Sequence, residues 1–272
     1  MSSSRKIRVL CLHGYRTNAK VMERQTLVLR QALGDDAEFV FLDGPFEADG
    51  PTDTVIEKLF GETAPFREWF RVPIIGKREA GPSSDSELDT AAETAKVRGA
   101  MDQSDEWYLE YDGIEGAIAL VGETVAERGP FDVVVGFSMG AILLTLLSAL
   151  YVQKHNTRPW NLAICVGGMR IMDPNFRSLF ENPATGEAIL VPFSSVHIIG
   201  ERDPIYLESQ KLVKMYQDFP EAGFRAAGRK IVYEHSGGHK FPSLKGNEQF
   251  YDELVKVIHD HRTIDSVHIS KL

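Results

Sequence analysis

The sequence predicts an α/β fold: a mostly parallel sheet of about six strands with helices on both faces. Three observations carry this reading. Short apolar runs alternate with helix-patterned segments along the chain. The runs are continuously apolar, as strands covered on both faces are. Finally, Gly136-Phe137-Ser138-Met139-Gly140 joins one such run, Phe131-Asp132-Val133-Val134-Val135, to a helix-length apolar segment that starts at Ala141.

Ile7 to Leu12 reads as the first strand and leads into His13-Gly14. Thr17 or Asn18 then caps a helix running to about Leu33, with Gly34 at its end. Phe39 to Leu42 is the second strand and stops at Asp43-Gly44-Pro45. From about Phe46 to Gln103 the rhythm breaks. Short helical pieces, the aromatics Phe66, Trp69 and Phe70, and a polar stretch from Gly76 to Met101 fill this region. The aromatics suit core packing or a pocket wall equally. The polar stretch suits a surface insertion or a lid.

Asp105 to Arg128 carries a helical apolar stripe that includes Ile114, Ile118, Leu120 and Val121. The strand beginning at Phe131 and the helix after Ser138 come next, then strands at Leu162–Val166 and Val196–Gly200. A helix from Pro204 to about Phe219, a last strand at Ile231–Glu234 and a helix from about Asn247 to Ile258 complete the pattern. No repeat or linker divides the chain, so residues 1–272 are expected to form one domain with an irregular insertion at about 76–103.

Hydrophobic residues make up 43 % and charged residues 25 %, as in globular proteins generally. The net charge of −9 repels phosphate backbones and anionic lipid, which argues against nucleic-acid and membrane partners. The amino terminus shows no secretory pattern, and the apolar stretch from about Ala141 to Val152 is too short to span a bilayer. Cys11 and Cys165 lie in strand-like runs and offer neither a disulfide framework nor a metal cluster. A cytoplasmic location is therefore expected. No nucleotide-binding glycine motif is present, and no cofactor or metal is expected.

Gly-x-Ser-x-Gly between a buried strand and a buried helix reads as a nucleophile elbow; alone, it could also be an ordinary glycine-rich turn. A serine hydroxyl is a poor nucleophile and needs a neighbouring base, which a carboxylate orients. The chain order for this arrangement is serine, acid, histidine, each just past a strand. Asp203, in Gly200-Glu201-Arg202-Asp203-Pro204, fits the acid and fits a helix N-cap as well. Asp218 is the fallback. Of the eight histidines, His239 fits the base, because Ser236-Gly237-Gly238 lets its loop bend. His235 is its rival. His197 reads as structural, His155 as exposed, and His259, His261 and His268 as solvated.

An oxyanion needs two backbone N–H donors. Met139, after the serine, supplies one candidate, and Tyr15, in the loop after the first strand, the other. His13 reads as shaping that loop by hydrogen bonds rather than as a base. Phe46, Trp69, Phe137, Met169 and Phe241 are candidates for an apolar substrate-binding wall, although such residues also simply pack.

Several motifs occur in a specific order. They are Leu12-His13-Gly14-Tyr15-Arg16-Thr17-Asn18, Leu42-Asp43-Gly44-Pro45, Arg67-Glu68-Trp69-Phe70, Gly129-Pro130-Phe131-Asp132, Gly136-Phe137-Ser138-Met139-Gly140-Ala141 and Gly237-Gly238-His239-Lys240-Phe241-Pro242. Together they resemble the FSH family of serine hydrolases, from about Arg5 to Ile258. That resemblance implies a single-domain α/β-hydrolase fold and esterase or thioesterase activity. It also implies Ser138, Asp203 and His239 as nucleophile, acid and base, matching the assignment from the residues. Many relatives carry Gln where this chain has Met139, which keeps the N–H and alters the pocket wall.

The expected activity is hydrolysis of a carboxylic ester with an apolar acyl chain, through an acyl-enzyme on Ser138. Release of an acyl or polyketide group from a thioester is the alternative within enzymes. A ligand-binding receptor on the same scaffold is the alternative outside them. The expected partner is a small-molecule ester or thioester.

Overall fold

The computed structural model describes residues 5–72, 75–77, 107–219 and 228–262. Six parallel strands form the main sheet: β1 (Ile7–Leu12), β2 (Ala37–Leu42), β7 (Val133–Phe137), β8 (Leu162–Val166), β9 (Ser194–Gly200) and β10 (Lys230–His235). Their spatial order is β2-β1-β7-β8-β9-β10. The order reverses between β1 and β7, so the Ser138 turn leaves the sheet near its middle. Two antiparallel pairs stand apart: β3 (Phe46–Glu47) with β4 (Arg67–Glu68), and β5 (Ile75–Lys77) with β6 (Trp107–Leu109).

Strand periodicity sorts the apolar residues onto two faces. Leu10, Leu12, Val134, Ala163 and Cys165 pack with α4 (Ile114–Arg128) and α5 (Met139–His155). Ile7, Val9, Cys11, Val133, Val135, Leu162 and Ile164 face the other way. There they meet Met22 of α1 (Ala19–Gln25), Leu29 and Leu33 of α2 (Leu27–Leu33), and Phe250, Leu254 and Ile258 of α7 (Glu248–Asp260). Among the described residues no helix is long and apolar enough to cross a membrane.

Three helices depart from the sequence expectation. The helix expected up to Leu33 starts at the Asn18 cap but divides at Thr26, whose hydroxyl donates to the Met22 carbonyl at 2.8 Å. The helix expected from Asp105 begins only at Ile114, because Trp107–Leu109 pair with Ile75–Lys77 as strand. The helix expected up to Phe219 is α6 (Tyr206–Lys214). It ends early because Met215 and Gln217 exchange backbone hydrogen bonds with Val191 at 2.8 and 3.0 Å. Of the insertion expected at 76–103, residues 78–103 lie outside the described residues, as does His268.

Two fully buried histidines make stability depend on pH. Burial pushes His13 down to about 4 and His197 down to about 3, so both are neutral in the folded chain. The unfolded chain protonates both below about 6.5 and so binds more protons, which means stability falls as pH drops. Chemical denaturation followed at several pH values should show a midpoint that declines from pH 6.5 towards 4. His197→Phe should flatten that decline, by up to about 1.4 kcal/mol per pH unit.

Candidate active site

Ser138 lies between β7 and α5 with φ 52° and ψ −116°. A side chain at positive φ is strained by roughly 1–2 kcal/mol, so surrounding structure has to hold it there. The Ser138 N–H donates to the Val166 carbonyl of β8 at 2.8 Å. Its own carbonyl accepts from the Ala141 N–H at 2.9 Å. Helix α5, buried from Met139 to Leu150, then presses its first turn on the loop after β1. A Cβ on Gly140 would stand 2.3 Å from the Leu12 carbonyl oxygen, so only glycine fits there. Ser138 itself is partly exposed between buried neighbours. Met139 is the first residue of α5, where helical N–H groups lack an intrahelical acceptor.

Asp203 and His239 follow the ends of β9 and β10. The His239 Nδ1–H donates to Asp203 Oδ2 at 2.7 Å. Asp203 is buried, and its Oδ1 accepts from the Ile205 N–H at 2.9 Å in the turn ahead of α6; it is not the helix cap the sequence offered, because α6 begins at Tyr206 and its N-cap is Ile205. The two loops are laced together. Glu201 N–H donates to His235 O at 2.8 Å, Arg202 N–H to Gly237 O at 2.9 Å, and Arg202 Nε to Ser236 O at 2.6 Å.

From the end of β10 the imidazole reaches back across the end of β8. A Cβ on Gly167, which has φ 53°, would lie 3.0 Å from His239 Nδ1, so a larger residue would crowd the ring. The ring ends against Phe137, the neighbour of Ser138, with centroids 4.9 Å apart. The alternatives stand elsewhere. Asp218 is exposed and paired with Lys230 at 2.6 Å. His235 is buried, with its Nδ1 accepting the Gly237 N–H at 3.1 Å. His261, expected to be solvated, is instead buried, because it closes α7 with Nδ1 2.7 Å from the Val257 carbonyl.

The loop after β1 abuts the same point. A Cβ on Gly14 would be 2.8 Å from the Phe137 ring and 3.4 Å from Ser138 Cβ. Tyr15 follows, 39 % exposed, with the Arg16 guanidinium 4.8 Å from its ring centroid. Arg16 Nε donates to the buried Glu68 at 2.7 Å and its other arm to Asp49 at 2.8 Å. Behind them, the Trp69 indole donates to the His13 carbonyl at 2.8 Å and stacks on the His13 ring at 4.8 Å.

The expected apolar wall divides. Phe137 and Phe241 stack at 5.7 Å beside His239. Met169 is half-buried just past Gly167 and packs on the core. Trp69 has no exposed surface and supports the His13 loop instead of lining a pocket. Phe46 is turned by the β3–β4 pairing onto Gly113, where a Cβ would lie 2.5 Å from its ring. Sequence reasoning passed over Thr17 except as a cap. Its place four residues after His13 was the available signal, and its hydroxyl donates to the Gly14 carbonyl at 2.9 Å.

The serine hydrolase (FSH1) family matches residues 1–251. This chain belongs to that family. It is 29 % identical over 258 residues to human "Esterase OVCA2", covering 92 % of this chain and 96 % of that protein. It is 34 % identical over 263 residues to "Probable esterase tazC" of Aspergillus terreus, covering 86 % and 85 %. Among solved structures, Zea mays acyl-protein thioesterase 2 superposes with a TM-score of 0.50 at 18 % identity, covering 94 % and 96 %. Arabidopsis thaliana SOBER1 gives 0.50 at 17 %, covering 95 % and 100 %. These two likenesses establish the α/β-hydrolase fold. As a member of the FSH1 family the chain is a serine hydrolase of the esterase type.

Glycines near the site should differ sharply in tolerance. Gly140→Ala forces a methyl into two carbonyls and should lower unfolding free energy by about 3 kcal/mol. Gly238→Ala meets only the Arg202 carbonyl at 3.6 Å, an ordinary contact, and should change it by less than about 0.5 kcal/mol. Denaturant unfolding of both variants checks the contrast.

Proposed function

We propose that this serine hydrolase cleaves carboxylic esters with an apolar acyl chain, using Ser138 as nucleophile, His239 as general base and Asp203 as its orienting acid. The observation that carries this reading is the 2.7 Å His239–Asp203 contact, reached by an imidazole that lies against the residue preceding Ser138. With Nδ1–H committed to the carboxylate, Nε2 is the nitrogen left to take the Ser138 proton. Ser138 Oγ adds to the ester carbonyl, and the Met139 and Tyr15 N–H groups stabilise the resulting oxyanion. His239 returns the proton to the departing alcohol, leaving an acyl-serine. Water, deprotonated by His239, then adds to that acyl group, and Ser138 recovers its proton as the acid leaves.

Phe137 and Phe241 beside His239, with Met169 nearby, support an apolar acyl group. The same steps release a thiol from a thioester, which is the second enzymatic reading. The buried, unpaired thiols Cys11 and Cys165 suit a reducing, cytoplasmic setting.

Ser138→Ala should lower kcat by roughly 10⁴-fold or more and abolish fluorophosphonate labelling, and Asp203→Asn should lower kcat by roughly 10³-fold or more. Turnover of p-nitrophenyl esters should rise with acyl length and exceed that of acyl-CoA thioesters; the reverse preference would favour the thioesterase. A folded wild-type protein that resists labelling would instead indicate a binding module.

A further inference from the structure

We propose that His13 and Thr17 are positioning residues that aim the Tyr15 N–H by pinning the peptide plane between Gly14 and Tyr15. The inference rests on the reading of Ser138 as nucleophile and Tyr15 as an oxyanion donor. In a planar trans peptide the carbonyl and the following N–H point in opposite directions, so holding one aims the other. The Gly14 carbonyl accepts from the Thr17 hydroxyl at 2.9 Å and lies 2.7 Å from His13 Nδ1. Both side chains are buried, at 4 % and 0 % exposure, so they draw the carbonyl inward. The N–H on the far side of the same plane is thereby turned outward. Tyr15 is itself 39 % exposed, and a Cβ on the adjoining Gly14 would lie 3.4 Å from Ser138 Cβ, so this peptide borders the nucleophile.

The partners of the imidazole decide which nitrogen holds its proton. The Gly44 N–H can only donate, and it meets Nε2 at 2.9 Å, so Nε2 carries a lone pair. The Gly14 carbonyl can only accept, so Nδ1 carries the hydrogen. Burial, which keeps His13 neutral, agrees with this single tautomer. One ring therefore ties the loop after β2 to the loop after β1. The Trp69 indole on the His13 carbonyl and the Arg16–Glu68 pair hold the residues on either side of the pinned peptide.

Paired isosteres separate positioning from mere packing. An Asn amide overlies the Nδ1 side of histidine and keeps the donor to Gly14. A Gln amide reaches the Nε2 side and keeps only the contact to Gly44. His13→Gln and Thr17→Val should each lower kcat on a p-nitrophenyl ester by about tenfold or more with KM nearly unchanged. Affinity for an alkylboronic acid, whose oxygen occupies the oxyanion position, should fall by a similar factor. His13→Asn and Thr17→Ser should stay within about threefold of wild type. Equal losses within each pair, or folded Thr17→Val with kcat and boronate affinity within about twofold of wild type, overturn the proposal. Where the His13 variants do not fold, the Thr17 pair decides the matter. Ser138→Ala runs alongside: if it retains activity and labelling, the underlying reading fails instead.

Discussion

The strained backbone at Ser138 is the constraint on which the rest depends. A residue at φ 52° and ψ −116° stays there only because neighbours on three sides refuse it another place. The Val166 carbonyl takes its N–H, the first turn of α5 takes its carbonyl, and that turn lies directly on the Leu12 and His13 carbonyls. The contacts come from β8, from the helix that follows β7, and from the end of β1. The energy that holds the turn is therefore drawn from burial of the whole β1–β7–β8 region and α5, not from the turn itself.

Around that point the protein places polar groups in pairs that satisfy each other. The loops after β9 and β10 share three hydrogen bonds before His239 and Asp203 meet. The loop after β1 is fastened by His13, Thr17, Trp69 and Arg16. Several of these groups are buried, where an unpaired donor or acceptor would cost about 1–3 kcal/mol. Hydrogen bonds that cross from one loop to the next hold these loops in place.

The separation of apolar from polar roles follows the same logic. Trp69, attractive as a pocket wall in a linear reading, is fully buried, and Phe46 packs on Gly113 while keeping part of its surface exposed. One is sealed behind the His13 loop, the other folded onto the start of α4. Phe137 lies against the His239 imidazole and stacks on Phe241.

The sequence alone determined the six-strand alternation, the elbow around Ser138, and the order in which Asp203 and His239 should follow. Buried strands need continuous apolar runs, and a turn this tight needs glycines at fixed offsets; both leave marks that are local in the chain. It also ranked His239 above His235, because only the former lies on a glycine-bearing loop. The breaks at Thr26 and before Ile114, the early end of α6, the burial of His261 and Trp69, and the placement of Phe46 on Gly113 were decided by tertiary structure. So were the reach of His239 over Gly167 and the hold of Thr17 on Gly14. Whether an aromatic ring or an imidazole is exposed depends on which distant segment covers it, and a hydrogen bond between loops depends on register across the sheet. Neither quantity is written in the spacing of neighbouring residues.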